Sequence, residues 1–175
     1  MRSPHKTQKL GGKKKKKEAI MVEWTEKSRS TGNVAFTSCC SNEQPVAWLL
    51  EKVRVAFEPS VFGGDGSELR KNICFMGVNG EIKAQLADIE KSINATTSCI
   101  KEDFLKCKIN RDKVRTYDAT KNRIEIPETM RGCTVNARVH LRGKWATRQG
   151  CGLSIEVTDM QFCDQQARDE PPCPF

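Results

Sequence analysis

This chain of 175 residues is poor in histidine, with two, and its aromatic share is only 6%. It has no apolar run near the roughly 18 residues a membrane helix needs, so no membrane partner is expected. A charged start is followed by no apolar segment, so no secretory signal is read. No Cys-x-x-C pair occurs, and adjacent Cys39 and Cys40 are poor geometry for a tetrahedral ion. The loop Gly63-Gly64-Asp65-Gly66 is followed by neither the lysine nor the helix of a phosphate-cradling loop. No internal repeat of the kind that builds solenoids is present.

These gaps leave catalysis poorly supplied. His5 lies in a polar tail, so a Ser-His-Asp or Cys-His arrangement would depend on His140, mid-strand among cations. Asp65, Glu156 and Asp159 are the acids a small metal-dependent nuclease would use, but Glu156 and Asp159 differ in strand parity. The expectation is a non-enzyme with no cofactor. Nine cysteines, an odd number and scattered, read as reduced thiols filling small core positions in a reducing compartment. Cys133, Cys151 and Cys163 with His140 form the one set a hairpin could gather around zinc. Separate buried thiols are the simpler reading, and no metal is expected.

What the chain does have is charge, unevenly placed. Residues 1–17 carry eight bases, including Lys13, Lys14, Lys15, Lys16 and Lys17, and no acid. From Glu18 onward 22 bases balance 22 acids, so the net +8 belongs to the tail. A five-lysine run reads as a nuclear-import signal or a phosphate-binding arm, with a plain solvated tail as the bland alternative. Within the body, Lys101 to Arg148 holds 13 bases against six acids, whereas Glu156 to Phe175 holds five acids against Arg168 alone.

Residues 1–44 read as a basic, largely disordered arm, with Trp24 and Phe36 able to dock locally. Val53, Val55 and Phe57 alternate with polar neighbours as a first strand ending at Pro59, and Ile73 to Val78 reads as a second. Ile82, Leu86, Ile89 and Ile93 recur at helical spacing, so a helix is expected to cover one end or face of a sheet. Ile100, Phe104 and Leu105 are expected to extend it after a break. Lys106 to Tyr117 is basic and polar, and Ile124 and Ile126 mark a short strand.

The clearest pattern is the pair TVNARVHLRGKW and CGLSIEVTDMQF around the break ATRQG. Val135, Ala137, Val139 and Leu141 alternate with polar residues, and Leu153, Ile155 and Val157 repeat the pattern, which reads as a hairpin with one packed face. The open face carries Arg138, His140, Arg142 and Lys144, with Arg148 in the loop: a row of cations able to track a phosphate backbone. Arg111, Lys113 and Arg115, also at alternate spacing, extend the same groove. Tyr117 and Phe162 are candidate stacking platforms. Trp145 shares parity with the core, so only a bulge near Gly143 would turn it to the groove.

The chain ends Arg168-Asp169-Glu170-Pro171-Pro172-Cys173-Pro174-Phe175. An acidic segment closing on Pro-Phe resembles the C-terminal tip of bacterial single-stranded-DNA-binding proteins, and the acidic, aromatic-ended tails of phage proteins with the same role. The hairpin RVHLRGKW…GCGLSIEVTDMQ is similar to the Gly-bounded strand pair of viral OB-fold proteins of the phage T7 type. This resemblance implies a fold that is mainly β with one or two helices: an OB-like five-stranded antiparallel barrel over residues 45–163, between the arm and an acidic tail, 164–175. It implies non-catalytic binding of single-stranded DNA in replication, recombination or repair. Asp169, Glu170, Pro174 and Phe175 would recruit replication proteins and compete with DNA for the groove. The Lys-rich head is foreign to those families and suits a nucleus, or a viral replication site in a eukaryotic cell. Homo-oligomerisation is left open. The alternative is a nucleocapsid-type protein that condenses duplex DNA or RNA through the arm.

Overall fold

The computed structural model describes residues 20–61 and 70–163, without the side chains of residues 26–29 and 31. The Lys13–Lys17 run, the glycine-rich loop and the tip residues Asp169, Glu170, Pro174 and Phe175 lie outside the described residues. The chain opens with β1 (Glu23–Thr31), β2 (Val34–Cys40), β3 (Ala47–Val55), β4 (Ser60–Val61) and β5 (Arg70–Met76). After α1 (Gly80–Ser92) come β6 (Ile100–Lys101), β7 (Phe104–Asn110), β8 (Arg115–Tyr117) and β9 (Arg123–Ile124). The long pair β10 (Thr134–Ala146) and β11 (Cys151–Phe162) closes it.

Five of these strands form a ring. β3 pairs with β5, β5 with β7, β7 with β11, β11 with β10, and β10 back with β3. The fold is therefore mainly β around a five-strand ring, as the family resemblance implies. Four seams are antiparallel and the β7–β11 seam is parallel. An odd number of strands cannot close with every neighbour reversed, so one parallel seam is unavoidable.

The ring holds the core. Val135, Ala137, Val139 and Leu141 of β10 and Leu153, Ile155 and Val157 of β11 all point inward and are buried, as their alternation predicts. They meet Val53, Val55, Ile73, Phe75, Leu105 and Ile109 in one cluster, each such side chain stabilising by about 1.5–3 kcal/mol relative to exposure. α1 adds Leu86 and Ile89 to that cluster. Asn79 starts the helix by accepting the Glu81 amide at 2.7 Å, with Glu81 in the first turn and Lys91 in the last.

Several expectations are corrected. Residues 23–40, read as part of a disordered arm, form the β1–β2 hairpin, with Thr31 opposite Val34 across Gly32-Asn33, a two-residue turn signal. Partly buried Ile20, Val22, Trp24 and Cys39 pack this segment on the core. β3 begins earlier than its alternation suggested, because a bulge at Glu51–Lys52 resets parity between Leu50 and Val53. Lys52 sits there at φ 50°, its amide donating to Asn136 Oδ1 at 2.8 Å. Phe57 falls beyond β3 and is exposed. Ile100, Phe104 and Leu105 continue as strands rather than helix, so the described residues hold one helix. The stretch beginning Lys106 is also strand: Leu105, Cys107 and Ile109 are buried while Lys106 faces out, a period of two that shows once cysteine is counted as apolar.

Candidate nucleic-acid interface

Arg138, His140 and Arg142 of β10 face outward where the alternation places them, but they are not free cations, and the bulge past Leu141 takes Lys144 out of the row to stand opposite Leu153. Arg138 is exposed and stands opposite Asp159 of β11. His140 stands opposite Glu156, and Arg142 Nε donates to Glu156 Oε2 at 2.6 Å. A bulge at Thr158 brings both carboxylates to the same face, despite their opposite parity in sequence. Arg115 on β8 pairs with Asp159 at 2.7 Å, and that bond pushes the guanidinium pKa further up. Lys144 lies 5.0 Å from the Trp24 ring, a cation–π contact that fastens the N-terminal hairpin. Burial pushes the His140 pKa down, helped by Arg142 and Arg138.

Two hollows lie beside the β10–β11 pair. The larger, of about 540 Å³, lies between β2 and the β10–β11 pair and is lined by Phe36, Ser38, Lys113, His140, Arg142 and Glu156 among others. The second, of about 290 Å³, opens where β7 and β11 part ahead of their pairs Lys108–Glu156 and Ile109–Val157. Lys106, Lys108, Asn72, Thr97, Thr147 and Trp145 stand around it, over Cys107, Leu153 and Ile155. Val34 and Phe36 are alternate residues of β2, and Ile155 and Glu156 are adjacent on β11. In each case one lines the small hollow and the other the large one. Ile155 points into the ring and Glu156 away from it, so β2 is the element that borders both hollows, through Val34 and Phe36.

Trp145 reaches the small hollow because the required bulge exists, between Leu141 and Gly143. There β10 pairs with Ser38 to Ala35 of β2. The Trp145 indole N–H donates to the Leu153 carbonyl at 3.2 Å, which sets the ring's orientation.

Phe162 is no stacking platform, because its side chain is buried in the core. Tyr117 is half-buried on β8, beside Gln161 of β11. Of the cations expected to widen the groove, Lys113 lines the large hollow, Arg115 is tied to Asp159, and Arg111 is half-buried beyond β7. Arg148 is exposed in the β10–β11 turn. Among the described residues no three His, Cys, Asp or Glu side chains gather as a metal-binding set. Lys106, Lys108, Asn72 and Thr97 were not singled out from the sequence, and Phe36 only as a residue able to dock locally. The lysines were signalled by the Leu105-Cys107-Ile109 alternation; the others become neighbours only through the ring.

Neither a protein-family model nor a curated protein matches the sequence. Among solved structures, the single-stranded DNA-binding protein from bacteriophage Enc34, in a C-terminally truncated form, superposes with a TM-score of 0.52. The match has 15% identity and covers 79% of this chain and 95% of that one. The two share a fold. Two further structures of the phage protein, one of them in complex with single-stranded DNA, match at a TM-score of 0.47 and 14% identity, covering 79% and 85% of this chain and 96% of each partner. In this chain the β1–β2 hairpin joins the five-strand ring through the β2–β10 pairing, and β2 lends Val34 to the small hollow and Phe36 to the large one.

Proposed function

We propose that this protein binds single-stranded DNA without catalysing a reaction on it. The observation that carries the reading is the pair of hollows bordered by β2, taken together as one cleft for the strand. Lys106, Lys108, Lys113, His140 and Arg142 line it alongside the aromatic rings of Phe36 and Trp145. A basic trough with interleaved rings suits a flexible backbone with splayed bases, and stacking is worth about 1–3 kcal/mol per base. The fold shared with a phage single-stranded-DNA-binding protein supports the same reading. A role in replication, recombination or repair, in a nucleus or at a viral replication site, follows from this proposal together with the Lys13–Lys17 run and the acidic tip. That tip would recruit replication proteins.

The test is a salt titration of oligo-dT binding, with duplex as competitor. The parent prefers the single strand, and log affinity falls with log salt by about 0.7 per phosphate contacted. Reversing Lys106, Lys108 and Lys113 to Glu weakens binding more than tenfold and flattens that slope by about 2. Parent-like binding by the triple variant refutes the cleft. A chain that prefers duplex, and loses affinity on removal of residues 1–17, is instead an arm-driven condensing protein.

A further inference from the structure

The small hollow differs from the trough beside it. Its floor is apolar, made by Cys107, Leu153 and Ile155. One side is the indole of Trp145, and Lys106 and Lys108 stand at its rim. Its volume of about 290 Å³ is at the small end of ligand sites. That suits one aromatic heterocycle, not a run of stacked bases. The indole N–H is already engaged by the Leu153 carbonyl, so what Trp145 offers is its ring. Its position depends on Gly152: a Cβ there would stand 2.7 Å from the Thr97 carbonyl oxygen and 3.0 Å from the indole.

We propose that this hollow takes a single everted nucleobase of the bound strand, seated against Trp145, with the neighbouring phosphates on Lys106 and Lys108. The occupant follows from complementarity: an uncharged aromatic body for the apolar floor, and anionic linkage on both sides for the two ammonium groups. The site discriminates little between bases, because ring contact rather than a hydrogen-bond code holds the occupant. It anchors one nucleotide and so fixes where the strand leaves the trough. The proposal rests on the cleft reading above and adds a discrete seat to it.

The experiment follows the three indole N–H resonances of the full chain, from Trp24, Trp48 and Trp145, by NMR during titration with dTMP. Inorganic phosphate is the control. The Trp145 resonance and the Thr97 amide move with dTMP and not with phosphate, while Trp24 and Trp48 stay in place. Thr97→Phe, which fills the hollow from an exposed loop position, removes the shift and weakens oligo-dT binding about tenfold. Trp145→Ala does the same by removing the ring. No movement at Trp145, an equal movement with phosphate alone, or parent-like oligo-dT binding by Thr97→Phe overturns the proposal. If the parent binds oligo-dT while these results fail, the seat is wrong and the cleft stands. If the parent does not bind oligo-dT, the cleft reading falls, and the dTMP shift alone decides the hollow.

Discussion

Gly143 is the residue on which the geometry of the cleft turns. It sits at φ 156°, and a Cβ there would come within 2.1 Å of the Thr37 carbonyl oxygen and 2.9 Å of the Phe36 ring. No rotamer relieves a clash with backbone, so any side chain must push β2 away from β10. Gly143→Ala is expected to lower stability by about 2–3 kcal/mol. The urea midpoint should fall with the m-value unchanged, and a midpoint within error of the parent would contradict the assignment. Nearby charges matter less to the fold. The Arg142–Glu156 pair is half-exposed on the arginine side, so it is worth under about 1 kcal/mol; its effect lies in aiming the guanidinium along the trough.

At the scale of elements, the wall of the small hollow depends on α1. Glu90, near the helix C-terminus, is buried, and its carboxylate accepts the Ser98 hydroxyl at 2.7 Å and the Cys99 amide. The Glu90 carbonyl also accepts the Ala95 amide at 2.9 Å. These bonds fold the chain after the helix back toward β11, where the Thr96 and Thr97 amides both reach the Cys151 carbonyl at 3.0 Å. Glu90→Ala leaves two donors without their acceptor and is expected to cost about 1–3 kcal/mol. Hydrogen exchange should rise first at Cys99 and Ile100 while the β10 amides stay protected; uniform loss of protection would show that the contact is not local. The helix itself was legible from Ile82, Leu86 and Ile89. Its Glu90 contact was not, because a glutamate on an amphipathic helix ordinarily faces water.

For the whole molecule, the thiols report on ring closure. Cys99, Cys107 and Cys133 are buried, while Cys39, Cys40, Cys74, Cys151 and Cys163 are half-buried. Burial pushes the Cys39 thiol up to about 11 and the Cys99 and Cys107 thiols up as well. The thiolate is the reactive form, so a raised pKa slows labelling at about pH 8 and lets it quicken as pH rises. Cys40 and Cys151 should label in the native protein, Cys39 more slowly, and Cys99 and Cys107 only on global unfolding. Labelling of Cys107 at a rate independent of denaturant would mean that the parallel seam opens locally.

Periodicity alone determined the β10–β11 hairpin, its buried and open faces as far as Leu141, and the helix. Each depends on contacts within a few residues, or on a pattern that any partner would satisfy. Tertiary structure decided what periodicity could not carry. Bulges at Lys52, Gly143 and Thr158 reset the parity of their strands, turning Trp145 toward the cleft and setting Glu156 and Asp159 against the cations. Ring closure set Lys106 and Lys108 across from Trp145, some 40 residues along the chain. Such pairings arise between distant segments, where alternation states which face is buried but not which strand lies opposite.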